Sequence, residues 1–467
     1  MAGKKIQAQL TPEEKLQQAL VPEAEQPYKV PANWCWTRLG IVSIFERGIT
    51  FPALGKEKEK SENNLPCIRT TNIQEELELE DLIYIDKKYI KNNENKLVKT
   101  NDIIMSSANS RELVGKVIYV HNIFEPMTFG GFVLVIRTKD IFNKFLFYFL
   151  RLEFLAGHFM GKSAQTTNIA NISTANLSNY CIPLPPLPEQ QRIVERIESL
   201  FAKLDEAKEN LQNVLDGFET RKAAILHKAF TGELTANWRK QHGVSIDSWE
   251  EKTLNEQFNI VSGIQKTPIR IPRSNFVPYI TVANVYRNKL DLDEVKNFEI
   301  FDGELERYRL LKEDILIVEG NGSGNEIGRC ALWNDELPIC VHQNHIIRLR
   351  KRTNNILSNY VLYYLNSDDG KQVIKLRAKT TAGLFNLSTG KIKTIIIPVP
   401  NLPEQIEIVR IIDDLLAKEQ QAKKLAENAL AKIELIKKAI LARAFRGELG
   451  TNNPADEPVV ELLKRML

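Results

Sequence analysis

One stretch occurs twice in this chain, and its fixed length leaves little freedom to everything else. The first copy opens with Ile-Pro-Leu-Pro-Pro-Leu-Pro-Glu-Gln (182–190) and closes with Lys-Ala-Phe-Thr-Gly-Glu-Leu (228–234). The second opens with Ile-Pro-Val-Pro-Asn-Leu-Pro-Glu-Gln (397–405) and closes with Arg-Ala-Phe-Arg-Gly-Glu-Leu (443–449). Pro188 matches Pro403, Ile193 matches Ile408, and Gly232 matches Gly447, each pair 215 residues apart with no gap between. The prolines exclude a helix within the cluster and predict an extended lead-in. Pro188 then suits a first helical turn, Glu189 favours the positive end of the helix dipole, and Gly232 and Gly447 suit left-handed caps. About 41 residues lie between, roughly 60 Å as helix, which is too long for one globular helix without a partner.

The apolar spacing supplies the partner. Ile197, Leu200, Leu204, Leu211, Val214 and Phe218 recur at three and four residues in the first copy. Ile412, Leu415, Ala426, Ile433, Ile436 and Ile440 do so in the second. Such heptads predict a coiled-coil seam, interrupted by Arg221 in one copy and Glu419 in the other. The first helix leads from one globule to the next, so a second helix packed on it runs back, and the pair is antiparallel.

The segments before each helix repeat more loosely. Trp34 matches Trp249, Gly48 matches Gly263, Asn72 matches Asn284, and Asp102-Ile-Ile matches Asp314-Ile-Leu. Short apolar runs predict strands over 65–71, 81–85, 102–106, 115–120 and 131–137, with one helix over 144–159. The chain thus reads as a 1–29 arm, a globule over 30–182, a spacer helix over 183–235, a second globule over 243–397, a second spacer helix over 398–450 and a 451–467 tail. The fold class is α+β: two mixed α/β globules joined by two long helices in an intramolecular antiparallel coiled coil. Within the arm, Thr11-Pro-Glu-Glu is a capping box, consistent with a short surface helix or a partly ordered arm. The helices are alike while the globule loops differ. That pattern predicts one job done twice by the helices and two different targets for the globules.

Charge and motifs narrow the function. The formal net charge is +4, so any nucleic-acid contact must come from local clusters. Five scattered cysteines with no C-x-x-C exclude a zinc ribbon and fit a reducing, cytoplasmic setting. No run of about 18 uncharged apolar residues predicts a membrane span. Walker A, G-x-S-x-G and N/D-P-P-Y/F sequences are absent, so no catalytic residue is assigned. The glycine-rich 318–328 segment runs into another strand rather than a helix, and reads as an inter-strand loop. Cys340, His342 and His345 lack a fourth metal ligand, and no metal is assigned. Basic and amide residues recur in the loops of both globules: Arg47, Lys56, Arg69, Asn72, Asn109, Arg111, Lys162 and Gln165 in the first. The second has Gln265, Lys266, Arg270, Arg273, Asn321, Asn325, Arg329, Arg377 and Lys379. Arg and Lys suit phosphates or guanine edges, and Asn and Gln suit adenine, so these are candidate DNA contacts. A protein–protein scaffold without DNA readout is the competing reading.

The doubled Leu-Pro-Glu-Gln openings, the Ala-Phe-x-Gly-Glu-Leu closings and the Pro-Ala-Asn-Trp-Cys-Trp-Thr-Arg-Leu-Gly start (31–40) resemble the specificity subunit of type I restriction–modification systems. The resemblance spans about residues 28 to 450. It implies that each globule is a target-recognition domain reading half of a bipartite site in double-stranded DNA, and that the helices dock two methyltransferase subunits. S-adenosylmethionine would then sit on those subunits. ATP and magnesium would sit on a separate restriction and translocase subunit.

Overall fold

The structure, a computed structural model, describes residues 11–467 apart from 92, 163, 167–168, 322–325 and 382–383, and apart from the side chains of 161–169, 321 and 379–384. The chain divides into two compact units: residues up to Asn210 with Ala429–Leu467, and Leu211–Asn428. Each unit therefore holds one globule and a portion of both long helices.

In the first unit the central sheet contains β2 (Ser43–Arg47), β3 (Ile103–Ser106), β4 (Val117–Tyr119) and β5 (Val133–Thr138), ordered β2-β5-β3-β4 and antiparallel throughout. Both of its faces are covered. Ile103, Met105, Leu134 and Ile136 enter the core formed with helix α1 (Asn143–Leu155). Their neighbours Ile104, Val133 and Val135 enter a smaller core on the other face. Period-two alternation of apolar residues on a sheet buried on both sides explains why these strands read as unbroken apolar runs. Strand β1 (Cys35–Arg38) pairs with β6 (Cys181–Leu184), so the predicted extended lead-in is a strand that anchors the start of the globule.

After α2 (Leu187–Asp216) and α3 (Phe218–Phe230), the second unit repeats this plan. Its β7 (Glu250–Thr253) pairs with β12 (Ile396–Val399). The sheet of β8 (Phe258–Ser262), β9 (Ile315–Val318), β10 (Cys330–Leu332) and β11 (Ile346–Lys351) has the order β8-β11-β9-β10. The matched aspartates head equivalent strands. Asp102 accepts Arg137 Nε at 2.8 Å, and Asp314 accepts Arg350 Nε at 2.8 Å.

The repeated motif is a clasp. Trp34 Nε1 donates to the fully buried Glu189 at 2.8 Å, and Trp249 Nε1 to the fully buried Glu404 at 3.0 Å. Gln190 accepts the Phe142 N–H at 2.8 Å, and Gln405 accepts the Leu357 N–H at 2.9 Å, each just ahead of its globule's helix. Glu and Gln of each opening thus tie the first helical turn to its own globule, beyond any favourable interaction with the helix dipole. The closings behave differently. Phe445, from the second copy, packs on Phe145 and Phe149 of the first globule at 5.1 and 5.4 Å. Phe230, from the first copy, packs on Tyr360 and Tyr364 of the second. Each globule therefore holds the start of one long helix and the end of the other, which makes the pair antiparallel.

The contacts between the helices agree. In the first unit Asp205 meets Lys437 at 2.6 Å and Lys208 meets Glu434 at 3.8 Å. In the second unit Lys423 lies over Phe218, and Arg221 meets Glu419 at 2.8 Å. The two residues that interrupt the heptads are thus partners. Of the seam residues, Ile197, Phe218, Ile412, Ala426 and Ile433 are buried, and Leu200, Leu204, Leu211, Leu415 and Ile440 are half-buried.

Val214 and Ile436 depart from the expected seam, at 39% and 44% exposed. A heptad step from 211 to 218, or from 433 to 440, is satisfied equally by either of two neighbouring positions. The structure uses the half-buried Leu215 and Lys437 instead, the latter placing its ammonium over the Phe201 ring. A second departure is the break at Gly217. The first spacer is two helices, while the second, α4 (Leu402–Ala444), is unbroken. A glycine is a common site for such a kink. Here Arg221 Nη2 donates to the Val214 carbonyl at 2.9 Å across the break, and a Cβ on Gly217 would lie 2.4 Å from Arg221 Nη1.

The capping box at Thr11 forms as expected and starts a helix over Pro12–Ala19. Its Leu16 joins Val459 and Leu463 of the C-terminal helix in the first core, so arm and tail are packed against the same globule.

Candidate nucleic-acid interface

The loop residues separate into those committed to the fold and those left open. Asn72 is 2% exposed and closes its own turn, accepting the Arg69 N–H at 2.9 Å and donating to Glu78 O at 3.0 Å. Asn284 does the same with Thr281 and Asp291, so the matched asparagines are structural and Asn72 is unsuited to reading a base. Arg270 is likewise withdrawn. It forms a two-pronged pair with Glu304, with Nη2 to Oε1 at 2.6 Å, and stacks over Phe301. Arg329 donates to Val282 O at 2.7 Å and lies over Tyr286. Arg377 spends its guanidinium on the carbonyls of Val373 and Thr394. A long side chain with a planar donor fork bonds well to loop carbonyls, and sequence spacing does not distinguish that use from phosphate binding.

Arg47, Lys56, Arg111, Gln265, Lys266 and Arg273 are exposed. Asn109 is half-buried, donating to Ser106 Oγ at 3.1 Å. Lys56 and Arg69 come together on one cavity of about 410 Å³, with Phe51, Thr71 and Phe132 also in its wall. Arg69 reaches Asp81 at 2.7 Å, while its buried Nε has no partner in the fold. The side chains of Lys162, Gln165, Asn321 and Lys379, and Asn325 as a whole, lie outside the described residues.

The histidine–cysteine group is dispersed. Cys340 and His342 are core residues, and His342 Nδ1 bonds to Ile346 O at 2.9 Å. Burial holds the His342 imidazole down to about 3 and pushes the Cys340 thiol up to about 12. His345 points outward and faces Glu319 at 3.7 Å. No cluster of three metal-ligating side chains occurs among the described residues.

Two sheets with the same order carry loops of different chemistry, and known proteins share that plan. The family model "Type I restriction modification DNA specificity domain" matches residues 33–216 and again 246–430. The chain belongs to this family of specificity subunits. It is 31% identical over 441 residues to the type I restriction enzyme EcoKI specificity subunit of Escherichia coli K12, covering 92% of both chains. It is 29% identical to the StySPI specificity subunit of Salmonella potsdam, again covering 92% of each. Among solved structures, the HsdS subunit of Thermoanaerobacter tengcongensis superposes with a TM-score of 0.64 at 20% identity, covering 91% of this chain and all of that one. A second, from work on assembly and conformational transition of the type I R-M system, gives 0.61 at 20% identity and covers 90% of this chain and all of that one. In this family the subunit supplies specificity, and the catalytic work lies elsewhere. No described helix of this specificity subunit is long and apolar enough to cross a membrane.

Sequence reasoning passed over one further exposed turn. The turn Gly130–Val133 carries Phe132, 61% exposed, and the second globule has a counterpart at Gln343–Ile346. Neither turn carries the Lys and Arg that drew attention to the other loops.

Proposed function

We propose that this chain is the DNA sequence-specificity subunit of a type I restriction–modification complex, reading a bipartite site in double-stranded DNA with one half assigned to each globule. Two methyltransferase subunits dock on the long helices, and a restriction and translocase subunit joins through them. S-adenosylmethionine is bound by the methyltransferase subunits, and ATP with magnesium by the motor. The complex works in the cytoplasm; the five cysteines, all free, are compatible with that setting.

The observation that carries this reading is the duplicated framework with unlike loops. Both globules use the same sheet order and the same clasp, yet the exposed side chains differ. A protein that bound one target twice would have no reason to vary them.

The test is to assemble the chain with methyltransferase subunits, map the methylated sequence, and then replace residues 34–180 with another recognition domain. One half-site is expected to change and the other to stay; a change in both halves, or in neither, overturns independent reading. Binding is also expected to weaken steeply with salt, because neutralised phosphates release counterions. A complex indifferent to salt, or none on any duplex, would point to a protein scaffold instead.

A further inference from the structure

The two globules share one turn to the level of individual hydrogen bonds. In the first, Val133 N–H closes the turn on Gly130 O at 2.8 Å, and Gly48 N–H and Ile49 N–H bind Val133 O and Phe129 O at 3.0 and 2.8 Å. Ser107 N–H holds Phe132 O at 2.9 Å, and Gly130 N–H binds Ile68 O at 2.9 Å. In the second, Ile346 N–H closes on Gln343 O at 2.8 Å, and Gly263 and Ile264 bind Ile346 O and His342 O at 3.3 and 2.8 Å. Glu319 N–H holds His345 O at 2.9 Å, and Gln343 N–H binds Ile280 O at 2.9 Å. The matched glycines are required by this approach. A Cβ on Gly48 would lie 2.0 Å from Gly130 O, and one on Gly263 would lie 2.1 Å from His342 O.

The backbone is thus clamped alike in both globules while its side chains differ. The first turn reads Gly-Gly-Phe-Val and the second Gln-Asn-His-Ile. At the third position each turns a ring outward, with Phe132 61% exposed and the His345 side chain 56% exposed. A phenylalanine ring left 61% exposed on a rigid turn gives up much of the burial it could contribute to its own globule. In DNA readers, apolar rings contact the thymine methyl or wedge between base steps, while Asn and Gln pair with base edges. Lys56 stands on the same cavity as Phe132, where it suits a phosphate, while Arg69 beside it is paired with Asp81.

We infer that the turns Gly130–Val133 and Gln343–Ile346 carry base discrimination, Phe132 by apolar contact in the first half-site and Gln343, Asn344 and His345 by hydrogen bonds in the second. This rests on the reading of the chain as a specificity subunit. It adds which residues choose the bases, and why the halves differ in chemistry.

The experiment is to assemble the full chain with methyltransferase subunits and map methylated sites for Phe132→Ala, Phe132→Gln and the pair Asn344→Ala with His345→Ala. Each phenylalanine variant is expected to lose about 10- to 100-fold discrimination at one position of the first half-site, leaving the second half and the gap unchanged. The Asn344/His345 variant is expected to do the reverse. Phe132 and His345 are exposed and Asn344 is half-buried, so thermal melting serves as the control for folding, and the second phenylalanine variant covers failure of the first. Folded variants that methylate the wild-type sequence with wild-type discrimination overturn the inference. A wild-type complex that methylates no bipartite sequence overturns the specificity reading beneath it, so the two failures are distinct.

Discussion

Glu189 and Glu404 occupy matched places, yet they are buried in different company. Glu404 accepts Arg239 Nη1 at 2.6 Å and Thr235 Oγ1 at 2.8 Å, so its charge is paired. Glu189 accepts the neutral donors Trp34 and Asn452 at 2.8 and 2.9 Å, and burial raises its carboxyl above the ordinary range. Removing one partner of a buried pair costs about 3–5 kcal/mol, so Glu404→Gln is expected to destabilise the protein strongly in denaturant melts. Glu189→Gln is expected to cost much less. Its pH dependence has a definite sign. A carboxyl raised in the folded state contributes stability that is present below its unfolded pKa and lost as pH rises through the folded value. Wild type is therefore expected to lose ground against Glu189→Gln as pH increases from the acidic side. A gap that stays constant, or moves the other way, contradicts the assignment.

At the scale of elements, the breaks in pattern are informative. Arg221 and Glu419 each spoil a heptad alone, but they meet at 2.8 Å and are 40% and 21% exposed at their side chains. A partly exposed pair of this kind contributes about 0.5–1 kcal/mol. Arg221 also bonds the Val214 carbonyl beside the Gly217 break, so Arg221→Leu alone is expected to destabilise more than the pair energy. Adding Glu419→Leu should recover part of the loss, because two leucines extend the seam. A double-mutant cycle on thermal melts measures this, and full additivity would show that the pair is not coupled. The seam was legible as a period, and its two misassigned positions show the limit of that signal. Val214 competes with Leu215, and Ile436 with Lys437, at equal spacing, and only packing against the facing helix chooses between them. The glycine break was equally hidden, since an isolated glycine is tolerated in helices and marks no kink by itself.

For the whole molecule, the constant spacing of the repeat becomes a statement about length. Removing one heptad from both long helices shortens each by about 10 Å, roughly three base pairs of duplex. If the helices set the gap, the mapped half-sites are expected to move closer by about that amount. Removal from one helix only is expected to abolish assembly, because the clasps at the two ends could no longer close on a matched seam. An unchanged site after either deletion would show that something else sets the gap.

The sequence by itself determined the number of parts, their order and their spacing, because repetition, helical period and proline placement are local or periodic signals. It also contained every residue of the clasp, and Trp34 with Trp249 was already visible as a matched pair. What those tryptophans hold was not visible, since Trp34 and Glu189 are far apart along the chain and only folding brings them to 2.8 Å. The candidate interface was the least legible part. Basic and amide chemistry drew attention to Asn72, Arg270, Arg329 and Arg377, which tertiary structure commits to a turn, a carboxylate and carbonyls. The turn bearing Phe132 passed unnoticed because a lone phenylalanine in sequence looks like core. Exposure is a property of the folded surface, and only the tertiary structure decided which polar groups are spent inward and which ring is turned out.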